Sequence, residues 1–528
     1  MAKEIGFVSS TVSAPANENR FTFIIKKTEE NKESFILNQF DLVKIERTLI
    51  DIAPIFAIVE SISSFCDAPD HVANFVSSNF GQAPSGSIDR IAFYSVTARV
   101  LLNEDGVYFP VKTGDKVYTC DEEDAYKALY ADYCQKKNDY FPIALHTMYQ
   151  GNKEKIDLCT LLNETFLLGP DAAHLNVSGM SGMASKTTKV MTILRELFYH
   201  SQGLSIIIFN TKDKDLLSVK EDNHALDTDI YTSLTSQHKN NINWNKSITI
   251  LRPNDNSSKV TKGRYTLDFD TQKNLEYLDL LVAMDDDSGT MDSCVKSAQT
   301  DSSITTWDDL KTTKLKINPL DPNSEPINSQ TQSKFKRLLG RVITDKSTSL
   351  FTLKSSINTD ITVLVEKYLK AGRVIVVDIA PLDSLQQAIV FGSVLRTAQA
   401  YRRRKDSKNK VALFIDEVNK YASYDTPNQA PILQNLIDIA ETGRSIGLCL
   451  VTAEQSLSII HRRIKANFSN MLFGKTGPLE LSQPDYMMIP DSYKQRLTTF
   501  QHKDALVSTS NLNAGLIHAV FPDKFYKE

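Results

Sequence analysis

The 528-residue chain has no excess of positive charge: 60 lysines and arginines face 64 acidic residues, for a formal net charge of −4. No global basic field therefore draws it to nucleic acid or to an anionic membrane, and any DNA contact has to be local. It has six cysteines, Cys66, Cys120, Cys134, Cys159, Cys294 and Cys449. None forms a CxxC pair and no histidine stands at metal-ligand spacing from them, so they read as reduced, cytosolic packing residues. No apolar run approaches the roughly 20 residues of a spanning helix. The opening stretch, "MAKEIGFVSS", lacks the charged-then-apolar pattern of a signal peptide. The expectation is a cytoplasmic protein with no membrane contact of its own. The acidic "MDDDSG" (284–289) lacks the spacing and the closing Glu of an EF-hand and reads as a loop. There is no internal repeat and no recognisable nuclease motif.

What is present suits an ordinary globular protein, with 41% hydrophobic and 23% charged residues, and the length suits two to four domains of about 150 residues each. The first part, 1–165, is rich in β-type runs ("RFTFIIKK", "PIFAIVESI", "RIAFYSVTARVLL") separated by turn segments, which predicts a small barrel or sandwich carrying one helical segment. From about 166 the style changes. "HLNVSG" predicts a strand, "KTTKVMTILRELFYH" a helix with Val190, Leu194, Leu197 and Phe198 on one face, and "LSIIIFN" (204–210) a strand buried on both sides. Residues 214–370 mix polar loops with helical stretches and read as a mostly helical insertion. Regular βα alternation returns over 371–528 and ends in a hairpin.

The chemistry starts at "HLNVSGMSGMASKTTKVM" (174–191). The phosphate-loop pattern GxxxxGK[ST] uses glycines so that backbone N–H groups can face phosphate oxygens at a helix N-terminus. Here Gly179 lies seven residues before Lys186 rather than six, and Ser185 stands where a glycine is expected. As a bare pattern it fails, and a Ser/Gly turn before an ordinary helix remains open. Two further strand ends bear on the choice. "VALFIDEV" (411–418) ends in Asp416 and Glu417, suited to holding Mg²⁺ and to activating water. "GRSIGLCLVTAEQS" (443–456) ends in Gln455. In a parallel sheet the strand C-termini line the ligand crevice, which would bring all three features to one edge.

In this order the motifs resemble HerA-type ATPases of the HerA/FtsK family of RecA-like P-loop motor proteins, in their bacterial defence-associated branch. The resemblance rests on the N-terminal barrel, on "LLGPDAAHLNVSGMSGMASKTT", on "FIDEVNKY" and on "TGRSIGLCLVTAEQS". It implies an α/β RecA-like P-loop core with a mostly helical insertion, preceded by an N-terminal HAS-barrel-like β-barrel. It also implies a site binding ATP and Mg²⁺. Gly179, Met180, Ser181, Gly182, Met183, Ala184, Ser185, Lys186, Thr187 and Thr188 would form the phosphate loop, with Lys186 on the outer phosphates. Thr187 and Asp416 would hold the metal, Glu417 would activate water and Gln455 would sense the γ-phosphate. Arg444 would complete a neighbour's site in trans, with Arg396 and Arg402, Arg403 and Arg404 as alternatives. Asn419 departs from the histidine this family often carries two residues after the acidic pair.

Two functions follow as expectations, while a third, a conjugation or secretion ATPase, is disfavoured because the sequence shows no membrane segment. One is a homohexameric translocase or helicase carrying double-stranded DNA in its central channel. An effector protein, a nuclease or a sirtuin-like NADase, would dock on the barrel in antiphage defence or DNA-end processing. The other is a nucleotide-controlled assembly scaffold that activates such an effector without moving DNA. The basic runs "YRRRKDSKNK" (401–410) and "HRRIK" (461–465) suit a solvated face as well as a phosphate-backbone contact.

Overall fold

The structure is a computed structural model. It describes residues 3–25, 36–48, 52–66, 71, 92–150, 154–212, 216–220, 234, 243–254, 263–282, 290–343, 350–352, 359–404, 407, 409–427 and 430–526. The acidic 284–289 segment and residues 405, 406 and 408 of the basic run lie outside the described residues.

Six strands close into a barrel: β1 (Glu4–Val8), β2 (Arg20–Ile25), β3 (Leu42–Glu46), β4 (Ile55–Cys66), β5 (Ala92–Asn103) and β6 (Lys116–Thr119), in the order β1-β2-β5-β4-β3-β6. Every pairing is antiparallel. Alternation aims Phe21, Phe23, Val43, Ile45, Val96, Ala98 and Val117 into one buried interior, which is how period-2 patterning closes a small barrel. The barrel rests on the rest of the chain partly through Phe40, whose ring lies 4.4 Å from that of Tyr493.

The remainder is built on one sheet of twelve strands, ordered β12-β11-β15-β10-β16-β17-β9-β18-β19-β20-β7-β8. These are β7 (Tyr140–Tyr149), β8 (Lys155–Asn163), β9 (Leu175–Ser178), β10 (Leu204–Asn210), β11 (Ile248–Pro253), β12 (Arg264–Tyr265), β15 (Arg373–Asp378), β16 (Lys410–Asp416), β17 (Leu448–Glu454), β18 (Asn470–Phe473), β19 (Asp504–Thr509) and β20 (Ile517–Val520). A separate short pair joins β13 (Leu267–Asp268) to β14 (Phe351–Thr352). From β11 through β18 the neighbours are parallel. Strands β19, β20, β7 and β8 extend the sheet in antiparallel fashion. Hydrogen bonding thus ties β7 and β8 to the large sheet, not to the barrel, and β11 adds a strand from within the 214–370 segment.

The parallel strands are continuous apolar runs. All residues of β9, β10 and β17 are buried, as expected for strands covered on both faces. The cover comes from helices α1 (Lys186–His200), α2 (Ser384–Arg403) and α3 (Pro431–Ile446). Helix α1 buries Val190, Leu194, Leu197 and Phe198. Helix α3 starts with Pro431 and stops at Gly447, whose φ of +68° makes the left-handed C-terminal cap. Strand β17 lies between β9 and β16, giving the order β18-β9-β17-β16-β10-β15. This is a RecA-like α/β core behind an N-terminal barrel, the fold expected from the sequence. Among the described residues, no helix is long and apolar enough to cross a membrane.

Candidate active site

Register places the strand ends side by side. Ser178 of β9 lies opposite Glu454 of β17, Ala453 of β17 opposite Asp416 of β16, and Asn210 of β10 opposite Asp378 of β15. The loop after β9, the acidic pair after β16 and Gln455 after β17 therefore share one edge.

The loop itself is held by backbone. Gly179 N–H donates to the Glu454 carbonyl (3.1 Å), Met180 N–H to the Lys475 carbonyl (2.8 Å) and Gly474 N–H to the Ser178 carbonyl (2.8 Å). Ala184 is fully buried and sits against two glycines. A Cβ on Gly179 would lie 2.7 Å from the Ala184 Cβ and 3.0 Å from the Lys475 oxygen, and one on Gly474 would lie 2.8 Å from the Ala184 Cβ. Gly182 has open space around it, and its φ of +71° is what calls for glycine. Ser185 carries the turn into α1 with φ +42° and ψ +43°. The left-handed step before the lysine is thus made by a serine. The longer loop keeps a tight backbone approach by packing Gly179, Ala184 and Gly474 together.

Lys186 opens α1, and its Nζ donates to the Gly179 carbonyl at 2.8 Å, crossing the loop it follows. Lys189 N–H is bonded to the Ser185 carbonyl. Helix geometry leaves the N–H groups of the preceding turn without intrahelical acceptors, directed at the loop mouth. Burial holds the Lys186 ammonium below the usual lysine range, with Asp416 opposing that shift and Glu417 and Glu454 adding to the opposition.

The carboxylates form a second cluster. Asp416 is 5% exposed. Lys212, two residues past β10, places its Nζ 3.0 Å from Asp416 Oδ2 and 2.9 Å from Glu417 Oε1. Gln455 Nε2 donates to Glu417 Oε1 at 3.1 Å. Burial raises the Asp416 carboxyl, against the pull of Lys212. Burial also works to raise Glu417, but Lys212 and Gln455 outweigh it and hold that carboxyl below its usual range. The surroundings thus shift the two neighbouring carboxyls in opposite directions. Glu417 also has φ +61°, a left-handed backbone on a non-glycine residue, the kind of strain that concentrates at functional turns. Beneath it, Glu454 is fully buried. Its Oε1 accepts from Val418 N–H at 2.7 Å, and burial pushes its carboxyl well above the carboxylate range.

The residues suit a nucleotide with Mg²⁺. The cradle is one that side chains on Gly179 or Gly474 would fill. The Thr187 hydroxyl and Asp416 carboxyl are the hard oxygen donors that Mg²⁺ takes, and the lysine suits phosphate.

Arg444 does not join this cluster. It lies near the end of α3, where its Nη1 reaches the Asp171 carbonyl at 3.3 Å, at the edge where β17 begins rather than where it ends. It is exposed. The alternatives are tied within the chain. Arg396 bonds Asp279 (2.6 Å) and Asn435 (2.9 Å), Arg402 bonds the Ile446 carbonyl (2.6 Å), Arg403 bonds Asp438 (2.6 Å) and Arg404 bonds Glu366. In the 461–465 run, Arg463 pairs with Glu441 (2.8 Å) and Lys465 with Asp485 (2.6 Å), while Arg462 is exposed.

Sequence reasoning missed Lys212 and Glu454. Lys212 follows a buried strand and Glu454 ends one, the same strand-end signal that picked out Asp416. Both were findable by applying that rule to every parallel strand.

No protein-family model matches the chain, and no curated protein does. Among solved structures it is similar to the bacterial conjugative coupling protein TrwBdeltaN70 in its unbound monoclinic form, with 14% identity and a TM-score of 0.44 over 67% of this chain and 85% of that one. It is also similar to TrwB in complex with a non-hydrolysable ATP analogue, with 15% identity and a TM-score of 0.42 over 67% of this chain and 86% of that one. A third similar structure is VirB4 of Thermoanaerobacter pseudethanolicus, with 13% identity and a TM-score of 0.44 over 72% of this chain and 96% of that one. Similarities of this size assign no activity to this chain.

Proposed function

We propose that the chain is an ATP-hydrolysing motor of HerA type, a homohexamer that uses Mg²⁺ and moves double-stranded DNA through its central channel. The single observation that carries the ATPase reading is the convergence at one sheet edge of the Lys186 loop with Asp416, Glu417 and Gln455. In this reading Lys186 neutralises charge on the outer phosphates, and Thr187 and Asp416 hold Mg²⁺, which supplies further neutralisation of the phosphate oxygens. Glu417 takes a proton from the attacking water, whose oxygen bonds to the terminal phosphorus as the bond to the departing diphosphate oxygen breaks. Gln455, bonded to Glu417, orients that carboxylate. Arg444, exposed and away from its own chain's site, is the arginine that would act in a neighbour's site. An effector, a nuclease or a sirtuin-like NADase, would dock on the barrel in antiphage defence or DNA-end processing.

A second reading is favoured by one observation. Lys212 bonds both acids at once, so Glu417 is restrained before any partner arrives, as a nucleotide-controlled scaffold would require. Hydrolysis by the purified protein, with and without duplex DNA and with sedimentation to fix the assembly, separates the two. Stimulation by duplex DNA in a hexamer is the expected result. Hydrolysis indifferent to DNA but raised by the effector overturns the translocase reading in favour of the scaffold.

A further inference from the structure

Resting on that ATPase reading, we infer that Glu454 is a positioning residue, which holds the Glu417 turn in register with the phosphate loop. Three bonds meet at the end of β17. The Ala453 carbonyl accepts from Glu417 N–H at 2.9 Å. The Glu454 side chain accepts from Val418 N–H at 2.7 Å. The Glu454 main-chain carbonyl accepts from Gly179 N–H at 3.1 Å. One residue therefore bonds the acidic turn through its side chain and the loop through its backbone.

The acidic turn needs this hold. Glu417 has φ +61° while Val418 returns to φ −59° and ψ −25°. A side chain with a Cβ does not keep a left-handed backbone unless its surroundings fix it. Without the Glu454 acceptor, the Val418 N–H would be a buried donor with no partner. The turn would be driven to rotate until that N–H met water or another acceptor. Rotation there swings the Glu417 carboxylate away from Gln455 and Lys212.

Glu454 also differs from the two carboxyls above it. It is fully buried, and burial pushes its carboxyl well above the carboxylate range. What its side chain contributes to the turn is a hydrogen-bond acceptor of fixed position. Gln keeps that acceptor in the same shape, whereas Leu keeps the volume and removes it.

The test compares Glu454→Gln and Glu454→Leu with the wild-type chain by steady-state ATP hydrolysis, by titration with a fluorescent ATP analogue, by melting temperature and by amide exchange over residues 416–420. Displacement of a reacting group by an ångström lowers turnover by about 100-fold, and that is the expected loss of kcat in Glu454→Leu, with analogue affinity little changed. Glu454→Gln is expected to restore most of the turnover. Exchange at Val418 should rise in the Leu variant and not in the Gln variant. Wild-type kcat in the Leu variant, or a Gln variant as impaired as Leu, overturns the inference. So does a loss of affinity that parallels the loss of kcat, because a merely structural role would produce it. If the wild type hydrolyses no nucleotide, the ATPase reading fails instead. Val418 exchange then decides the positioning role by itself: a rise confined to the Leu variant supports the hold, and unchanged exchange overturns it.

Discussion

The phosphate loop contains two glycines that the structure treats differently, and replacing each by alanine separates packing from backbone conformation. A methyl on Gly179 would stand 2.7 Å from the Ala184 Cβ and 3.0 Å from the Lys475 carbonyl oxygen. Ordinary carbon contacts lie at about 3.5–4.0 Å, so the loop has to move by about 1 Å. The neighbours cannot give way easily, because Ala184 is fully buried and also touches Gly474. A shift of about 1 Å at a reacting centre lowers turnover by about 100-fold, or about 2.7 kcal/mol of transition-state stabilisation. The residue's φ of +148° adds strain to that displacement. Gly182→Ala meets no heavy atom within 4 Å and bears only the left-handed φ of +71°, worth about 1–2 kcal/mol of local strain in an exposed turn. Steady-state hydrolysis with fluorescent-nucleotide titration should therefore show Gly179→Ala crippled and Gly182→Ala close to wild type. Equal turnover in the two variants, in either direction, would refute the packing account of the loop.

Ser185→Gly should raise the unfolding free energy by about 1 kcal/mol, because it removes a left-handed residue with a Cβ, and should leave nucleotide affinity intact. A fall in stability by denaturant titration would contradict the assignment of that conformation. Lys212→Met removes the ammonium that lowers both Asp416 and Glu417. Both carboxyls then rise, and the acidic limb of the pH–kcat profile should move to higher pH; an unmoved limb would show that Lys212 does not act on the base. Burial pushes the His174 imidazole down to about 4. Its Nδ1 accepts from Leu450 N–H at 2.9 Å and its Nε2 donates to the Ala440 carbonyl at 3.0 Å. The unfolded chain, with histidine near 6.5, then binds the extra proton between about 6.5 and 4, so stability present above 6.5 is lost as pH falls through that window. Melting followed across it should show a shallower slope in His174→Asn, and an unchanged slope would exclude His174 as a source.

Strand ends were the most legible feature of the sequence. "FIDE" and "CLVTAEQ" are apolar runs that stop at a polar residue, and a buried parallel strand has that form because water begins where the sheet ends. The loop was legible only in part. Its lysine and hydroxyl could be read directly, but the packing of Ala184 between Gly179 and Gly474 could not. Those glycines are 295 positions apart, a separation that no local pattern contains. The same holds for β7 and β8. Their residues announce strands, but β20, which joins β7 to the large sheet, lies near position 517, and pairing over that distance is decided by the assembled core. Strand β11 was hidden because six residues within a polar segment carry little periodicity.

The most direct measurement is nucleotide binding and hydrolysis by the wild type, Lys186→Ala and Glu417→Gln, each with its melting temperature. If Lys186 holds phosphate and Glu417 is the base, the wild type hydrolyses ATP, Glu417→Gln binds ATP without turning it over, and Lys186→Ala does neither while remaining folded. A Glu417→Gln variant that hydrolyses ATP at the wild-type rate, or a Lys186→Ala variant that keeps both activities, would contradict the account.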